Sequence, residues 1–101
     1  MNYANELTAT LHAIGDVTDE RGRQLQKWGV QDHAIADWFL ILGEEVGEAQ
    51  REACEHVFAG RFPDHYPKDP ERLKRLRAEL VQVAAVAVAM VESLDRNELK
   101  P

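Results

Sequence analysis

The chain has 101 residues, which fits one small domain, and at 45% hydrophobic and 30% charged it has the balance of a folded chain rather than a disordered one. A formal net charge of −6 excludes a broad basic surface for a DNA or RNA polymer. The lone cysteine, Cys54, excludes an internal disulfide and with it a disulfide-stapled secreted scaffold.

In chain order, MNYANELTATLHAIGDV lacks a basic leader and carries Glu6, so it does not read as a signal peptide. A first helix is predicted from about Asn2 to Trp28, with a break near Gly15-Asp16 where Asp16 or Thr18 would cap a second segment. KWGVQDH, residues 27–33, reads as a connection. A second helix is predicted from about Ile35 to Ala59, with Gly60 as its C-cap. RFPDHYPKDP, residues 61–70, carries Pro63, Pro67 and Pro70 and must be a loop. A third helix follows Asp69 as N-cap, with Pro70 at its first position, and runs to about Asp95.

No segment alternates like an amphipathic strand, so the expected class is all-α, a helical bundle in one domain. The longest apolar run, residues 83–91, is too short to span a bilayer, so no membrane is expected and the cytoplasm is the default location. After Glu79 the third helix is apolar almost all round, which calls for burial on most sides. In a domain of this size that implies a partner chain, hence a homodimer or homotetramer.

The second helix poses a problem of charge. GEEVGEAQREACE, residues 43–55, holds Glu44, Glu45, Glu48, Glu52 and Glu55, with Arg51 as the one base among them. On a wheel at about 100° per residue, Phe39, Leu42, Val46, Ala49, Ala53 and Val57 form the expected core face. The glutamates cluster on a different side, where like charges at i, i+3 and i, i+4 repel. A solvated acidic face is one reading. A divalent metal site is the other, because Mg²⁺ takes hard oxygen ligands and carboxylates one turn apart supply them. Glu79 and Gln82 lie one turn apart at the polar start of the third helix. Antiparallel packing would set Glu79 beside Glu45 and Glu48.

GEEVGEA followed by RAELVQVAAVAVAMVE resembles the MazG-like family of all-α nucleoside triphosphate pyrophosphohydrolases, and ERGRQLQKWGVQDH upstream resembles the short members of that family. The likeness covers about residues 19–96. The family motif, EExxE and then ExxD on a facing helix, is matched by Glu44, Glu45, Glu48 and Glu79. The resemblance implies hydrolysis of the α–β phosphate bond of a nucleoside triphosphate to a monophosphate and pyrophosphate. It implies Mg²⁺ as cofactor, with Mn²⁺ as a substitute, on Glu45, Glu48 and Glu79, and a water oriented or activated by Glu44. The chain departs from the motif at Gln82, where Asp is expected. Gln offers a carbonyl oxygen but no charge, and Glu52 and Asp95 are the nearby acids that could stand in.

The family builds its base pocket from the end of the first helix and the start of the second. Carried over, that makes Lys27, Trp28, His33 and Trp38 substrate-binding candidates: an aromatic to stack on a base and Lys27 to meet a phosphate. The competing reading puts both tryptophans in the core and His33 at a helix cap. Lys68, Arg72, Lys74, Arg75 and Arg77 form a local basic patch, with Arg72 and Arg75 roughly on the face of Glu79 and placed to steer a triphosphate; a solvated face or salt bridges to the acidic helix is the plainer account. His12, His56 and His65 have no zinc-ligand spacing with the cysteine, no E-x-x-H follows the glutamates, and Cys54 has no inferred partner. Two rivals to the enzyme stand: a nucleotide- or metal-binding module that has lost turnover, and a structural helical dimer with a solvated acidic face.

Overall fold

A computed structural model describes residues 2–99, and these form three helices: α1 (Ala4–Trp28), α2 (Ile35–Arg61) and α3 (Arg72–Asn97). Among the described residues there is no strand, and no helix is long and apolar enough to cross a membrane.

The Asn2 carboxamide oxygen accepts the Ala4 N–H at 3.0 Å and starts α1. The helix then runs without the expected break. Thr18 does not cap, because its hydroxyl donates to the Ile14 carbonyl at 2.9 Å. Asp16 does not cap either, because its carboxylate is drawn across to Arg77 of α3 at 2.6 Å. Gly29 ends the helix at φ 70, a left-handed conformation that a side chain would strain, and its N–H reaches the Leu25 carbonyl at 2.8 Å.

α2 passes through Gly60 and stops two residues later than expected, at Arg61. Pro63 is the cause, since the residue before a proline is pushed out of the helical region and Phe62 adopts φ −131, ψ 64. At that corner the Phe58 ring meets both Phe62 and Tyr66, with ring centroids 6.4 and 5.5 Å away respectively. The N-cap of α3 is Glu71 rather than Asp69; Asp69 instead forms the turn before it, its carboxylate accepting the Glu71 N–H at 3.0 Å and its carbonyl the Arg72 N–H at 3.2 Å. Regular helix then begins at Arg72, two residues beyond Pro70.

α3 packs against both α2 and α1, which do not pack on each other. Arg72 and Arg75 near the start of α3 meet Glu55 and Glu52 late in α2, while the connection before α2 meets Ser93 to Asn97, so α2 and α3 are antiparallel. The pairs Asp16–Arg77 and Arg21–Glu92 run α1 in the same sense as α3.

The interior is thin. Among the described residues Trp38, Ala49, Ala59, Ala85, Val86 and Ala89 are its buried hydrophobics, and no large side chain is fully enclosed. The expected core face of α2 is only partly used: Ala49 is buried, Leu42 and Ala53 are half-buried, but Phe39 is 60% exposed and Val46 and Val57 are exposed as well. The helix is rotated so that Trp38, Ile41, Glu45, Ala49 and Glu52 turn inward. α3 is likewise not covered on most sides, since Leu73, Leu80, Val88 and Val91 are exposed.

Candidate metal and ligand site

Antiparallel packing of α2 on α3 brings three carboxylates together. Glu45, Glu48 and Glu79 each offer an oxygen, and these oxygens lie within 4.8 Å of one another. Glu45 and Glu48 are one turn apart on α2, and Glu79 answers them from the second turn of α3. None of the three is in an ion pair among the described residues, and one oxygen each of Glu45 and Glu79 is buried with no hydrogen-bond partner.

Electrostatics follow from this crowding. Burial first, and then the charges of Glu48, Glu20 and Glu44, hold the Glu45 carboxyl above its usual range. Glu79 is pushed up by burial, then by the Glu48 carboxyl against it, then by Glu45 and Glu52. Hard oxygen donors at this spacing, two of them without a hydrogen-bond partner, could hold a small divalent cation.

Glu44 is exposed and stands outside the converging trio. Gln82 is half-buried one turn after Glu79, and it lines a cavity of about 690 Å³ together with Glu45. Of the two proposed stand-ins for the missing acid, Asp95 is exposed near the far end of α3, away from the trio. Glu52 is half engaged: Arg75 Nε meets one of its oxygens at 3.2 Å, while the other is buried without a hydrogen-bond partner.

Lys27, Trp28, His33 and Trp38 line the same cavity. What places them is a latch on the α1–α2 connection. One oxygen of Asp32 accepts from Ser93 Oγ at 3.0 Å, Arg96 at 2.8 Å and Asn97 at 2.9 Å, pinning the connection to the end of α3. The end of α1 and the start of α2 are thereby held facing one another. The two tryptophans differ. Trp38 is 4% exposed, with His33 edge-on at 4.6 Å and its Nε1 buried without a partner. Trp28 is 55% exposed and so is not core; Lys27 Nζ rests over its ring at 4.7 Å. His33 does not cap α2, whose N-cap is Ala34 with no side-chain bond.

Arg75 is placed elsewhere. It does not line the cavity but binds Asp69 and Glu52 on the outer side of the cluster. Three more of the basic patch are spent similarly, with Arg72 beside Glu55, Arg77 on Asp16 and Lys74 on Glu71, while Lys68 is in no ion pair among the described residues.

Sequence reasoning missed the α1 wall of the cavity, formed by Glu20, Arg21, Arg23 and Gln24. Arg21 is taken by Glu92 at 3.0 Å and Arg23 by Glu20 at 2.7 Å, which leaves Lys27 as the lining cation without an ion pair among the described residues. A signal was present, because Glu20, Gln24 and Lys27 recur at helical spacing on one face of α1. No protein-family model, curated protein or solved structure matches the chain.

Proposed function

We propose that the chain is a nucleoside triphosphate pyrophosphohydrolase of the MazG-like type, dependent on Mg²⁺ or Mn²⁺ and active as a homodimer or homotetramer. The observation that carries this reading is the convergence of Glu45, Glu48 and Glu79 beside a cavity whose other end is aromatic and cationic. A solvated acidic face would have no reason to turn inward against a partner helix. A purely structural bundle would have no use for an unpartnered Trp38 Nε1 beside the cavity.

In this reading Glu45, Glu48 and Glu79 hold the metal, with the Gln82 carbonyl as a neutral fourth donor. The metal supplies charge neutralisation of the phosphates and a more acidic water. Glu44, at the solvent edge of the trio, orients the attacking water. Lys27 meets the phosphates, Trp28 offers a stacking face, and His33 and Trp38 form the closed end of the base pocket. The chemistry is confined to small nucleotides, because the net charge disfavours a polymer.

The test is pyrophosphate release from a panel of nucleoside triphosphates, with Mg²⁺, with Mn²⁺ and with chelator. Metal-dependent release is the expected result, lost in Glu48→Gln while the helical circular dichroism is retained. Gln82 favours a second reading, in which nucleotide and metal bind without turnover. Binding of a triphosphate with no release from any of the panel would select it. Neither binding nor release would return the acidic face to a solvated surface.

A further inference from the structure

The described chain leaves too much of itself uncovered to be a finished molecule. Its accessible surface is 7714 Å², against roughly 5,800 Å² for a folded monomer of this mass. Its radius of gyration is 16.8 Å, against about 13 Å for a compact chain of this length. The excess of about 1,900 Å² exceeds the roughly 800 Å² that each partner buries in a standard interface.

On α2 the uncovered surface is organised. Ile35, Phe39, Leu42, Val46, Ala53 and Val57 form one apolar seam, and Ile35 and Phe39 are 54% and 60% exposed. Beside this seam lie Gly43 and Gly47, one turn apart. Glycine is a poor helix former, and a Cβ at either position would meet nothing within 4 Å; the same is true of Gly15, Gly22 and Gly60, but only Gly43 and Gly47 stand one turn apart beside an apolar seam. Glycines with open space above them let another helix approach closely. The seam is also graded: its first half is bulky (Ile35, Phe39) and its second half is small around Ala53. A two-fold axis near Val46 sets the bulky half of one copy against the small half of the other, which is the self-complementarity an isologous contact needs.

We infer that a second copy of this chain covers the α2 seam, with the two α2 helices antiparallel and crossing near Val46 and the Gly43–Gly47 pair. This names the interface behind the self-association in the functional reading above, and its test involves neither metal nor nucleotide. Sedimentation equilibrium of the full chain should give twice the mass of one chain. In a Cys54→Ala background, Val46→Cys should be linked to its own copy by a short bismaleimide, and Leu11→Cys, on α1, should not. Phe39→Glu should shift the mass toward one chain with helicity retained. A monomer at micromolar concentration would overturn the proposal. So would a dimer that Val46→Cys fails to link, or one linked through Leu11→Cys instead, and either of these would leave self-association standing while moving it to another face.

Discussion

Arg75 Nε donates to Glu52 at 3.2 Å, so the acid one turn beyond Glu48 is neutralised while Glu48 is not. The same guanidinium binds Asp69, and both acids hold it above the usual arginine range. One arginine thus marks where the acidic stripe stops being available. Arg75→Gln should release the Glu52 charge toward Glu79 and raise divalent-cation affinity severalfold, read by calorimetric titration with Mn²⁺. Arg75 is exposed but Glu52 is half-buried, so the melting temperature should fall modestly as that carboxylate loses its partner. A fall in affinity would instead place Arg75 among the groups that support the site.

Gln82→Asp supplies the acid that the motif lacks, at a position lining the cavity with Glu45. Affinity for Mn²⁺ should rise about tenfold, which corresponds to about 1.4 kcal/mol, and pyrophosphate release should rise with it. Unchanged affinity would mean that residue 82 does not face the ion.

The pH dependence of the metal-free protein should be two-sided. Glu45 and Glu79 titrate above their usual 4.5 in the folded state, so that state binds protons the unfolded chain gives up. Stability therefore rises as pH falls from neutral through the raised values, and this gain is complete near 4.5. Asp16, Asp32 and Asp69 are lowered below 3.8, chiefly by hydrogen bonds from Arg77, Arg96 and Arg75. Their contribution is present above 3.8 and lost as pH falls through their folded values. In chelator the melting temperature should climb on mild acidification and then drop. Saturating Mg²⁺ should remove the climb, because protons and metal compete for the same oxygens, and should raise the neutral-pH melting temperature by roughly 10 °C at a hundredfold excess over Kd. A steady fall from neutral pH in chelator would count against the crowded trio.

Asp32→Ala removes the acceptor shared by Ser93, Arg96 and Asn97, and Ser93 is only 4% exposed. The melting temperature should drop by several degrees, with faster amide exchange over residues 29–34. Nucleotide binding should weaken as well, because Lys27 and Trp28 lie on one side of the latch and His33 and Trp38 on the other. Asp32→Asn, which keeps one acceptor oxygen, should fall between. Binding that survives Asp32→Ala intact would show that the two walls hold each other without the latch.

Much of this was legible in the sequence. The three helices follow from alanine-rich stretches and a loop marked by Pro63, Pro67 and Pro70, and the meeting of Glu79 with Glu45 and Glu48 follows from antiparallel packing across that loop. Other features were not. Periodicity finds an apolar face but not its partner, so Phe39, Val46 and Val57 were expected inside and lie outside. Whether α1 would break at Gly15-Asp16 depended on Arg77, far off in the chain, taking Asp16. Glu20 reaches the cavity only because α1 crosses α3, a geometry that local spacing does not encode.

The first three turns of α1 bury nothing, every described residue from Asn2 to Gly15 being exposed. A free-standing helical segment of that length is marginal in water, at the lower edge of the roughly 12–15 residues an isolated helix needs. In a single chain α1 is therefore one rod with two thermodynamic regimes. Its second half, tied to α3 by Asp16 and Arg21, opens only when the domain does, while its first half opens with the helix–coil equilibrium. Average helicity would hide that gradient, and residue-resolved exchange would display it as a slope along a single element.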